Sequence, residues 1–134
     1  MSQFWGGALL IVAAVGLVSG CGASVGVVDT QRVLNESVVG LQYQKQLDDR
    51  EKQMVAELTA LQGQVSQAEL NARRASLATE LQQMQADLER KLNAQLDDAA
   101  GQVARQDGLR VVLVKGQAEV GGTDITQQVI DRLK

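Results

Sequence analysis

One side chain in this 134-residue sequence stands in a setting that points to a covalent modification: Cys21, the only cysteine. It follows Val18-Ser19-Gly20, a run of small residues of the form of a lipobox, in which the thiol is alkylated by a lipid and the peptide bond before the cysteine is cut. Upstream, residues 1–20 carry no charged side chain, and Phe4–Val18 is an apolar run of fifteen residues. A membrane-spanning helix needs about twenty. Fifteen is the length of a signal-peptide core, so the reading is a signal peptide over residues 1–20 and a mature chain over 21–134, lipid-anchored at Cys21. The competing reading is an uncleaved N-terminal anchor whose cysteine is an ordinary small apolar residue. Gly22 stands where an inner-membrane retention signal would place Asp, so in a two-membraned cell the outer membrane is expected.

The remaining reactive groups are poorly placed for catalysis. Asp48-Asp49 and Asp97-Asp98 are carboxylate pairs, but neighbours on a helix point about 100° apart and share no substrate. Histidine is absent and cysteine solitary, which removes metal clusters and Cys/His dyads. The expectation is no enzyme, no cofactor and no metal. The aromatics are Phe4, Trp5 and Tyr43, too few for a base-stacking platform, and the net charge of −3 disfavours nucleic acid. Arg73-Arg74 is an adjacent basic pair near the expected hairpin tip, a candidate contact for a polypeptide client or a membrane surface, or simply a solvated helix face.

These residues sit on, or lead into, a long helical stretch. From about Glu36 to Arg105 there is no Pro, and Leu, Ala, Gln, Glu, Asp, Lys and Arg dominate. Apolar residues recur at spacings of three and four: Leu77, Leu81, Met84, Leu88, Leu92, Leu96, Ala99 and Val103. Leu47, Met54 and Leu61 are spaced by seven. This is the narrow stripe of a coiled coil. Gly63 is a helix stop, and Ser66 with Glu69 forms a capping-box start. Two helices, about Val38–Gln62 and Gln67–Gln106, are therefore expected to fold back antiparallel at residues 63–66. Their lengths are roughly 40 and 60 Å at 1.5 Å per residue. The alternative is one continuous helix dimerising in parallel, since a helical glycine costs only about 1 kcal/mol.

The two ends of the mature chain supply strands. Ser24–Asp29 reads as a buried strand, and Asp29 or Thr30 caps a helical turn to Asn35. Asp107-Gly108 ends the helical stretch. Leu109–Val114 is the strongest strand, Lys115-Gly116 a turn, and Gln117–Val120 its antiparallel partner, ended by Gly121-Gly122. Asp124 is expected to cap a last helix with Gln127 at the box position. The fold class expected is α+β: a small β-rich body from residues 22–35 and 107–134, completed by the proximal turns of the long helices, with a coiled-coil hairpin over 36–106. Val25, Val27, Val28, Val112 and Val114 offer more strand surface than one short helix can cover, so the body is expected to oligomerise.

Four pieces together resemble the Skp/OmpH family of periplasmic chaperones: residues 25–37 (Val-Gly-Val-Val-Asp-Thr-Gln-Arg-Val-Leu-Asn-Glu-Ser), the hairpin, residues 109–115 (Leu-Arg-Val-Val-Leu-Val-Lys), and residues 122–131 (Gly-Thr-Asp-Ile-Thr-Gln-Gln-Val-Ile-Asp). The resemblance implies a trimer with a β-rich body and helical tentacles around a cavity. It implies an ATP-independent holdase that keeps unfolded outer-membrane proteins from aggregating in the periplasm. The family usually has Pro where this chain has Val38, its studied members are basic and soluble, and the hairpin here is short. The other function open to such a chain is a lipid-anchored structural or adaptor coiled coil that docks a partner helix.

Overall fold

The computed structural model describes residues 25–116 and 122–134. The element order is β1 (Val25–Val28), α1 (Thr30–Glu36), α2 (Val38–Leu61), α3 (Gln67–Asp107), β2 (Val111–Val114), β3 (Thr123–Asp124) and α4 (Thr126–Arg132). The signal-peptide segment, Cys21 and the expected strand Gln117–Val120 lie outside the described residues.

The start of α3 is dictated locally. The Ser66 hydroxyl accepts from the Glu69 backbone N–H at 3.2 Å, and the Glu69 carboxylate accepts from the Ser66 N–H at 2.9 Å. Two donors that a helix start leaves unpaired are thereby satisfied. Gly63 sits at φ +82, left-handed backbone just past the end of α2. α3 ends on Gly108 at φ +67, whose N–H donates to the Ala104 carbonyl. Between these ends α2 and α3 lie antiparallel. Met54, Leu70, Leu77 and Leu88 are buried along the seam, and Arg50–Glu80 and Arg73–Glu57 pair across it.

The β-rich body expected from the sequence is overturned. Three quarters of the described residues are helical, in four helices, and the strands form one small parallel sheet of order β2-β1-β3. Val25 to Val28 pair in register with Val111 to Val114, and Gly26 and Val27 with Thr123 and Asp124. The physical reason is connectivity. The whole helical hairpin links β1 to β2, and a crossover that long allows the parallel pairing that a tight turn forbids. The last three turns of α3 are the floor of the core, where Leu96, Ala99, Ala100 and Val103 are buried with Val28, Val33, Ile125, Val129, Ile130 and Leu133.

Packing fixes the direction of the sheet relative to the hairpin. Val28 on β1 joins the core built on Leu96–Val103, whereas Leu34, in the helix that follows β1, packs farther up α3 beside Leu88 and Leu92. β1 therefore runs toward the hairpin tip. β2, parallel to it, runs back along α3 after the turn at Gly108.

Candidate functional site

Two surfaces of the chain are left for a partner. The first is the hairpin. Each helix spends its apolar stripe on the other, and the outward face of α2 keeps Val38, Leu41 and Val55, which are 45, 48 and 58% exposed. At 100° per residue these three lie within an arc of about 100° on the helix, interleaved with Lys45, Asp48 and Lys52. Between the helices a notch of about 130 Å³ is walled by Leu34, Tyr43, Leu47, Leu88 and Leu92, with Gln44, Gln85 and Glu89 at its rim.

The second surface is the sheet. Side chains alternate across it. Val28 and Val112 face the chain's own core, where Val112 packs against the buried cluster. Val25, Val27, Val111 and Leu113 point to the opposite face, and all four keep accessible surface among the described residues. Val114, opposite Val28 in the register, is 38% exposed at the sheet edge. The five valines proposed for an oligomer body are thus divided. Val28 and Val112 are committed internally, Val25 and Val27 lie on the accessible face, and Val114 lies at the edge.

Arg73 and Arg74 do not act as a pair. The Arg73 guanidinium donates to Glu57 Oε1 at 2.6 Å and closes the hairpin near its tip, while Arg74 stays exposed and reaches only Asn71, at 3.5 Å. The carboxylate pairs are likewise separate. Asp49 is held by Lys45 at 2.5 Å and Asp98 accepts from Gln102 at 2.8 Å. Among the described residues no group of three or more His, Cys, Asp or Glu is arranged to hold a metal, and no helix is long and apolar enough to cross a membrane.

One polar node joins Asp29 and Asp124, both expected from the sequence as helix caps, through Thr126, which carried no sequence expectation. At the C-terminal end of the sheet the Thr126 hydroxyl, fully buried, accepts from the Asp29 N–H at 2.9 Å and donates to Asp124 Oδ1 at 2.5 Å. Asp124 also accepts from the Thr126 N–H, so it forms a local turn ahead of α4 rather than a capping box. Gln127 reaches Asp131 instead. The Asp-x-Thr spacing, which favours such turns, was the available signal. Asp29 caps α1 by accepting from the Gln31 and Arg32 N–H groups, each at 3.1 Å. The node ties β1, β3, α1 and α4 together. It is a structural joint, with nothing in it poised to react.

The node and caps give the chain an acid-side instability. The Arg32 N–H holds the Asp29 carboxyl below its ordinary range, the Thr126 hydroxyl does the same for Asp124, and the Ser66 N–H for Glu69. A carboxylate depressed in the folded state binds its proton more readily in the unfolded chain. Its contribution is present above the unfolded value of about 4 and is lost as pH falls through the lower folded value. Histidine, whose ordinary titration lies near neutrality, is absent. The thermal midpoint, followed by circular dichroism, is expected to be flat from about pH 5 to 8 and to fall steadily below about pH 4. A midpoint that rises on acidification would contradict this assignment.

No known family profile matches the chain, and a search of curated proteins finds no relative. The functional reading therefore rests on surfaces and sequence segments.

Proposed function

We propose that the chain is an ATP-independent holdase of the cell envelope, lipid-anchored at Cys21, that shields unfolded outer-membrane proteins and works as a homo-oligomer. The observation that carries the reading is the apolar surface left over after the chain's own packing. It comprises the Val38–Leu41–Val55 stripe on α2 and the Val25–Val27–Val111–Leu113 face of the sheet. A client without fixed structure is held by weak, distributed contacts. A stripe of separated apolar side chains among mixed charges offers such contacts without driving irreversible aggregation. The sheet face suits association between copies, and the resemblance of residues 25–37, 109–115 and 122–131 to the Skp/OmpH chaperones makes a trimer the expected number.

The second reading is an adaptor. It is favoured by how completely the seam residues are used between α2 and α3, which leaves one interrupted stripe to meet a partner.

The test is suppression of light scattering by a denatured outer-membrane β-barrel diluted into buffer at stoichiometric ratio. The unmodified chain is expected to suppress aggregation. Leu41→Glu with Val55→Glu, both at exposed positions, is expected to weaken protection several-fold while leaving helicity within error, since exposed substitutions cost about 0.5 kcal/mol or less. If the unmodified chain fails to protect the client, the adaptor reading stands in its place.

A further inference from the structure

The fold places the start of β1 and the tip of the hairpin at opposite poles. β1 runs toward the tip, as the neighbours of Val28 and Leu34 along α3 show, so its first residue, Val25, points away from it. The C-terminal end of α3 shares that far pole, because Gly108 turns the chain directly into β2, and Val111 pairs with Val25. From Gln67 to Asp107 α3 is one unbroken helix of 41 residues. At 1.5 Å per residue it separates the poles by roughly 60 Å. Cys21 lies four positions before Val25, and four residues span at most about 14 Å.

The charge pattern agrees with the geometry. Leu58 to Ala68, which covers the turn between the helices, contains no charged residue. An anionic lipid surface has no electrostatic hold on such a tip. Arg73, the first cation beyond it on α3, is occupied by Glu57.

We propose that the hairpin stands off from the membrane that anchors the chain. The strand N-termini and the end of α3 lie against the lipid, and the uncharged tip at Gln62–Ser66 is held about 60 Å away, where it meets polypeptide in the aqueous compartment. Arg74 then serves a polypeptide partner and not the anchoring bilayer. This rests on lipidation of Cys21.

The experiment uses the full lipidated chain in vesicles of phosphatidylethanolamine and phosphatidylglycerol carrying a headgroup-attached quencher. With the Cys21 thiol alkylated by lipid, Gln64→Cys and Asp107→Cys each supply a single free thiol for a fluorophore, at exposed positions. Quenching is expected to be at least about five-fold stronger at position 107 than at position 64, given the roughly 60 Å length of the helix between them. Equal or stronger quenching at position 64 in protein that floats with the vesicles overturns the stand-off and leaves the anchor intact. A Cys21→Ser chain that floats as well as the parent, or a mature protein without acyl mass, overturns the anchor reading and the stand-off with it.

Discussion

Replacing Gly40 by alanine is expected to destabilise the chain, although alanine is the better helix former. The glycine lies in the first turn of α2, where α1 ends and α2 begins at the same residue, Ser37. Ser37 is fully buried. Its N–H donates to the Val33 carbonyl and its hydroxyl accepts from the Gly40 N–H, each at 3.0 Å. The corner brings the α1 backbone against α2 so closely that a Cβ at position 40 would stand 2.2 Å from the Leu34 carbonyl oxygen and 2.8 Å from its carbon. Backbone at that distance cannot rotate aside. Overpacking of this kind costs about 3 kcal/mol, at the top of the usual range. The propensity gain of alanine over glycine in a helix is about 1 kcal/mol, so the clash wins by about 2 kcal/mol. In a domain of this size that is a fall in midpoint of about 10 °C.

Gly101 provides the opposite case. It sits inside α3, and a Cβ there would meet only the flexible Arg105 Nη1, at 3.5 Å. Gly101→Ala should therefore raise stability by about 0.5–1 kcal/mol. Urea unfolding of the two variants beside the parent checks both signs. A neutral Gly40→Ala would mean that the α1–α2 corner is open in solution.

The contrast between these glycines also marks how far the sequence could be read. What is decided within a few residues was legible: the Ser66–Glu69 box, the left-handed Gly63 and Gly108, the Asp29 cap, and the periodicity that puts Leu77 and Leu88 on the seam. What is decided by distant segments was not. Gly40 carries no local mark that Leu34 will lie against it. The strands are four residues or shorter, and a run such as Val111–Val114 reads the same in a parallel or an antiparallel pair. Thr123–Asp124 has no apolar pattern, since it pairs through backbone at a sheet edge. The continuous apolar character of Val25–Val28 was itself a hint of a parallel sheet, and the turn residues Lys115-Gly116 outweighed it. Part of the apolar surplus that suggested oligomerisation, the Val28 and Val112 side, is met within the chain. The last turns of α3 cover the Val28 face.

That double use of α3 sets the second large effect. Val103→Asp is expected to unfold the whole chain, whereas Leu77→Asp, at an equally buried position on the same helix, is expected to part only the hairpin. Both side chains are 2% exposed. Val103 lies within the core cluster of ten buried residues, none of them charged. A carboxylate there can neither reach water nor find a cation, and an uncompensated buried charge costs about 4 kcal/mol. Total stabilities of single domains are about 5–15 kcal/mol, so for a small domain at the low end of that range little remains. Leu77 lies between two helices only, in a seam one side chain deep. There the carboxylate reaches solvent when the helices part locally, and the opening is limited to the turns between position 77 and the tip. Hydrogen exchange separates the outcomes. In Leu77→Asp, amides of α2 and α3 near residues 54–77 should lose protection while those of β1, α4 and residues 96–103 keep it. In Val103→Asp, protection should vanish from both regions together. If the core amides stay protected in Val103→Asp, the end of α3 is not the shared floor of the fold, and the hairpin and the sheet are held together by some other contact.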